Sequence, residues 1–194
     1  MKNGSIKNLT LTAMFLAIGM ILPLFTGQIQ LIGNMLLPMH IPVFLCALIC
    51  GWQYGLPMAF VLPLMRSMIF GMPPIYPTAI SMAFELATYA FVAGFLYQRS
   101  RWKCTKSLYK SMIIAMICGR LVWGIAQAIL LGIKGTAFTL QMFMAGALIN
   151  AIPGIILQLI LIPAVMVALH KAKLVPFSKE SGELRTEETG TDGQ

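Results

Sequence analysis

Three residues of this chain carry charge where charge is expensive: Arg66, Glu85 and Arg120, each set inside a long apolar run. Glu85 is the only acidic residue among the first 179. A carboxylate in such a run needs a cationic partner or a task that requires it. Two arginines against one carboxylate leave a surplus cation. Insertion scales put a central Arg at about +2.5 to +3.5 kcal/mol, so the surplus calls for carbonyls, water or an anionic ligand. That reasoning favours a ligand bearing a carboxylate or phosphate, unless Arg66 reaches the outer interface along its aliphatic stem. An Arg66–Glu85 pair that serves structure alone is the competing reading.

The runs that position these charges define the class. With 58% hydrophobic and 10% charged side chains over 194 residues, and a mean hydropathy of +0.82, the chain is too apolar for a soluble domain. The net charge of +8 sits at the ends of apolar runs, without the basic patch and interleaved aromatics of a nucleic-acid binder. Asn8 to Phe25 is long enough to cross a hydrocarbon core. An uncharged outer loop, residues 26 to 36, follows it with Gln28, Gln30 and Asn34. Pro38 to Gly51 gives a short second span, and Tyr54 to Gly71 a third with Arg66 near its outer end. Prolines in Met72 to Pro77 break the helix, and Thr78, a plausible N-cap, opens a fourth span to Tyr97. Beyond a basic loop, Leu108 to Leu131 is the fifth span and Leu140 to Leu169 a long sixth, interrupted by Pro153 and Pro163.

Ten Lys and Arg lie in the loops of one side (Lys2, Lys7, Arg99, Arg101, Lys103, Lys106, Lys110, Lys171, Lys173, Lys179), against Lys134 alone on the other. The positive-inside rule then places both termini in the cytoplasm, as an even number of spans requires. The expected architecture is all-α: a polytopic bundle of six transmembrane helices with cytoplasmic termini. Residues 1–175 form the membrane domain, and 176–194 a polar, disordered cytoplasmic tail. The basic loop suits acidic lipid headgroups.

On a wheel of 100° per residue the fourth span divides into two faces. Ser81, Glu85, Thr88 and Tyr89 form a polar stripe for a cavity. Ala79, Ala83, Ala87, Ala90 and Gly94 form a small-residue stripe that admits a neighbouring helix. The fifth span gathers Met116, Arg120, Trp123, Gly124 and Gln127 into one arc, and the sixth sets Gly146, Asn150, Gly154 and Leu157 on one face. A guanidinium, an indole and an amide on one helix face suit a flat or acidic polar solute. His40, near the outer end of the second span, reads as a hydrogen-bonding neighbour of that pocket rather than a metal ligand. Cys46, Cys50, Cys104 and Cys118 read as small buried hydrophobes, since no His or carboxylate set accompanies them. No metal site is expected.

Together, the Ala13-Met-Phe-Leu-Ala17 motif of the first span and the strings LLPMHIPVFLCALICGWQYG, GMPPIYP and FELATY resemble the substrate-binding S components of energy-coupling factor (ECF) vitamin transporters. The resemblance runs to about residue 175. It implies capture of a vitamin or precursor from outside the plasma membrane, then docking on a transmembrane coupling subunit driven by two ATPase subunits. It also implies that Ala13 and Ala17 touch the coupling subunit. The ligand pocket would form near the outer side, from the first outer loop and spans four to six. Faces and depth nominate Asn34, Tyr76, Glu85, Tyr89, Arg120, Trp123, Gln127 and Asn150 as its lining. A pantothenate-like acid or a cobalamin precursor stacked on Trp123 is the expected substrate.

No cofactor belongs to the chain itself. It has no G-x-x-x-x-G-K-[ST], so ATP would be used by the partner subunits. The alternative is a stand-alone proton-coupled secondary transporter of a small polar solute, with Glu85 as the proton site. An intramembrane enzyme would need a nucleophile with its base or a metal cluster, and the spans offer one carboxylate and one outer His, without paired acids or HExxH.

Overall fold

The computed structural model describes residues 2–25, 38–100, 105–135, 139–147 and 151–171. Every regular element among them is helical. In chain order these are α1 (Lys2–Phe25), α2 (His40–Ile49), α3 (Trp52–Phe70), a π-helical turn (Ile75–Ala79), α4 (Ile80–Arg99), α5 (Thr105–Ile133), α6 (Leu140–Ala147) and α7 (Ile152–Lys171). Among the described residues, four stretches could cross a membrane by length and composition: Ser5–Leu24, Ile75–Arg99, Thr105–Ile133 and Ile152–Lys171.

The shortest of the central helices organises the packing. Residues 40 to 48 of α2, HIPVFLCAL, are all buried, because α1, α3, α4 and α7 surround them. A helix enclosed on every side has no lipid-facing stripe, which is why its sequence is apolar throughout. Close approach there depends on missing side chains. A Cβ on Gly55 of α3 would stand 2.8 Å from the Ala47 Cα, and one on Gly94 of α4 would stand 2.9 Å from the Ala47 carbonyl oxygen.

The outer faces show the complementary pattern. On α5, Ile113, Ile117, Leu121, Ile125, Ile129 and Ile133 recur every fourth residue and are exposed, as are Ile152, Ile156 and Ile160 on α7. Such rows suit acyl chains, where apolar exposure carries no penalty.

Several boundaries differ from the sequence expectation. Thr78 does not cap α4: Ile75–Ala79 forms a π turn bounded by Pro74, with Tyr76 in extended geometry (φ −115°, ψ 129°). The prolines do interrupt the α3–α4 connection, and continuous helical winding resumes only after the extended Tyr76. The described residues of the long sixth stretch form two helices, α6 and α7. α7 runs unbroken through Pro163, and Pro153 sits in its first turn, where a missing N–H costs nothing. Thr88 is not part of a cavity-facing stripe. Its hydroxyl donates to the Phe84 carbonyl at 2.8 Å, and it lies in a row with exposed Phe84, Phe91 and Phe95, its polar group satisfied by its own helix.

The Ala47 contact can be probed against an open position. Gly55→Ala is expected to destabilise the protein by about 1–3 kcal/mol through overpacking against backbone. Gly132→Ala, whose Cβ meets nothing within 4 Å, is expected to be neutral or stabilising by up to about 1 kcal/mol. Thermal melts in mild detergent compare the two.

Candidate functional site

Glu85 projects from α4 toward α5 and α2 with about 1% of its surface exposed. Arg120 of α5 meets it, Nη1 standing 3.0 Å from Oε1. Tyr89, one turn along α4, donates its hydroxyl to the same oxygen at 2.7 Å. His40 brings Nε2 to 3.8 Å from Oε1. Three helices therefore converge on one carboxylate oxygen, a geometry that charge-assisted hydrogen bonds hold tightly in a poorly solvated interior.

Packing fixes the Tyr89 ring. It stacks on Phe44 of α2 (centroids 5.2 Å apart, 22° between planes) and lies tilted to His40 at 5.3 Å. On the α5 side it rests over Gly119, where any Cβ would overlap the ring. The residue beside Arg120 thus lacks a side chain so that the α4 tyrosine can lie flat on α5 and still reach Glu85.

Further along the same face of α5, Trp123 packs beside Phe143 of α6 (6.3 Å, 33°). Gly124 and Gly146 make room for these rings: a Cβ on Gly124 would overlap Phe143, and one on Gly146 would stand 2.7 Å from Trp123. Gln127, one turn beyond, is 8% exposed.

Several buried polar atoms here have no hydrogen-bond partner among the described residues: both His40 ring nitrogens, Arg120 Nε and Nη2, Gln127 Oε1 and, on α7, Gln158 Nε2. Buried groups of this kind are rare in a folded protein, and each calls for a partner such as an ordered water or a ligand. Donors at Arg120 and an acceptor at Gln127 lie two turns apart on one helix face, separated by an indole.

Arg66 is absent from this cluster. Its Nη1 donates to the Met20 carbonyl of α1 at 2.8 Å, and its guanidinium lies 5.5 Å over the Phe70 ring. The Arg66–Glu85 pair considered from sequence does not form. Nor is Arg66 surplus, because a carbonyl and an aromatic face accommodate it.

Of the residues nominated from sequence, Glu85, Tyr89 and Arg120 come together, and Trp123 and Gln127 continue the same face of α5. Tyr76 stands apart at the rim, its hydroxyl bonded to the Leu130 carbonyl. Asn34 and Asn150 lie outside the described residues. Ala13 and Ala17 are both exposed on α1, in an apolar band with Leu9, Met14, Ile18 and Ile21.

Sequence reasoning missed Phe44, Gly119 and Gln158. A hint to Gln158 lay in its spacing, since Gly154, Gln158, Ile162 and Met166 are one buried stripe at intervals of four. An apolar groove lined by Phe84, Val122, Ile125, Ala126, Ile129 and Leu130 opens between α4 and α5 on the face bearing the isoleucine row. It offers no polar group, so it is a lipid-facing crevice rather than a polar ligand's site. Among the described residues no cluster of three His, Cys, Asp or Glu could hold a metal ion.

A family model described as ECF transporter, substrate-specific component, matches residues 7–166. The chain belongs to that family. It is a membrane-embedded transporter subunit with a small-molecule substrate, acting with the membrane and ATPase subunits of the ECF module. No curated protein matches the sequence.

The central pair makes a direct stability prediction. Glu85→Leu and Arg120→Leu singly each strand a buried charge and are expected to cost about 3–5 kcal/mol, whereas the Glu85→Leu/Arg120→Leu double variant recovers most of that loss. Melting temperatures of the four proteins in detergent measure the coupling.

Proposed function

We propose that this S component captures a vitamin or vitamin precursor from outside the plasma membrane and delivers it through an ATP-driven ECF importer. In this reading six spans cross the bilayer with both termini in the cytoplasm, and ATP is consumed by the partner ATPases alone. The observation that carries the reading is the buried Arg120 guanidinium, anchored by Glu85 through Nη1 and leaving Nε and Nη2 without a partner. A donor pair fixed in place by its counter-ion is preorganised to bind, because its orientation is set before the ligand arrives.

The substrate-facing groups would be Glu85, Tyr89, Arg120, Trp123 and Gln127, with Tyr76 at the rim and Asn34 and Asn150 contributed by neighbouring segments. Glu85 and Tyr89 act mainly by positioning Arg120. This arrangement weighs against the proton-coupled alternative: Glu85 already neutralises Arg120, so protonating it would leave that guanidinium buried without its counter-ion. A pantothenate-like acid and a cobalamin precursor or comparable heterocycle are the two substrate classes in view.

Ala13 and Ala17 extend the reading to coupling. Their exposure on α1 suits the close helix contact with the coupling subunit that the family resemblance implies. In proteoliposomes, uptake of the copurifying solute is expected only with the coupling and ATPase subunits and internal ATP, and is expected to withstand a protonophore. Ala13→Trp and Ala17→Trp are expected to leave solute binding and melting temperature unchanged while reducing uptake at least tenfold. Uptake by the isolated chain, abolished by the protonophore, would instead establish the secondary transporter.

A further inference from the structure

Between Lys7 and Arg99 the only Asp, Glu, Lys or Arg are Arg66 and Glu85, and between Lys110 and Lys171 they are Arg120 and Lys134. The stretches 26–37, 136–138 and 148–150 contain none. Arg66 is taken by the Met20 carbonyl and the Phe70 ring. Lys134 is exposed and stands fourteen residues along from Arg120, about 21 Å of helix. Glu85 and Arg120 are in contact at 3.0 Å, and their charges therefore cancel. Two further titratable groups stand beside them, the His40 ring with Nε2 3.8 Å and the Tyr89 hydroxyl 2.7 Å from the same Glu85 oxygen.

We propose that the ligand of this site is electrically neutral, a flat heterocycle with a hydrogen-bond acceptor at one end and a donor at the other. This rests on the binding-subunit reading above and selects between its two substrate classes. An anion placed on Arg120 Nε and Nη2 would bring a second negative charge beside Glu85 in a poorly solvated interior where, among the described residues, no further Lys or Arg offsets it, and burying an uncompensated charge is costly. A neutral acceptor, such as a carbonyl oxygen or an unprotonated ring nitrogen, takes the same two donors without that cost.

The groups on α5 also set the ligand's direction and length. Arg120 supplies donors, and Gln127 supplies Oε1, an acceptor without a partner among the described residues. The two are seven residues apart, about 10.5 Å along the helix. Between them the Trp123 indole lies beside Phe143, a setting that favours a planar ring. The ligand accordingly lies along α5 with its acceptor edge inward at Arg120 and its N–H or O–H outward at Gln127.

The test is mass spectrometry of the solute released from wild-type protein purified in mild detergent from cells grown in vitamin-rich medium, with electrophoretic mobility at pH 7 giving its net charge. A released heterocycle that does not migrate, and whose retention falls at least tenfold in Gln127→Leu, is the expected result. A solute whose net charge is negative, from a carboxylate or phosphate, would overturn the neutral-ligand proposal and leave the binding-subunit reading standing. Protein that is empty and supports no ATP-dependent uptake of any vitamin in the medium would overturn that reading, and this proposal with it.

Discussion

One ion pair between neighbouring helices holds the centre of this molecule together. Glu85 is nearly inaccessible to solvent, and Arg120 supplies the countercharge at 3.0 Å. Neither group is tolerable there alone, since an isolated buried charge costs far more than the pair. Much of the surrounding sequence serves the pairing. Tyr89 donates to the same oxygen, Gly119 yields space for the Tyr89 ring, and Phe44 and His40 of the enclosed α2 cover it from the other side. The pair also leaves two of the guanidinium's three nitrogens without a partner among the described residues, so the structure that neutralises the charge simultaneously creates a binding element.

Charge elsewhere in the chain is handled by different physics. Arg66 has no carboxylate and uses a main-chain oxygen of α1 together with an aromatic face. Polar groups on lipid-facing rows are satisfied within their own helix, as with Thr88. The result is a bundle whose exterior is a succession of exposed Ile, Leu and Phe side chains, with the ionised core pair confined to the contact between α4, α5 and α2.

Helical class and the existence of a buried charge cluster at Glu85 were legible in the sequence because both follow from hydropathy. Apolar runs announce membrane helices, and a lone Glu in one announces a partner. Helical periodicity correctly put Glu85 and Tyr89 on one face of α4 and Arg120, Trp123 and Gln127 on one face of α5. Periodicity could not decide which arginine Glu85 would meet, since that depends on how helices lie against each other. Counting charges without that knowledge left one of the two arginines surplus, and the surplus pointed to an anionic ligand. Once Arg66 is found on the Met20 carbonyl, the same counting points to a neutral one. Gly119 was equally illegible, because the need for a missing side chain appears only when the Tyr89 ring is seen lying over it. The π turn at Ile75–Ala79 escaped for a local reason: prolines mark where a helix is interrupted, but not how winding resumes after them.

The most direct test of the account is an experimental structure of the protein with its copurifying solute, at a resolution that shows the hydrogen bonds around Arg120. The account predicts a solute accepting from Nε and Nη2 while Nη1 remains on Glu85, with its ring against Trp123. It would be contradicted if side chains of the protein itself filled those two hydrogen bonds and the solute lay elsewhere.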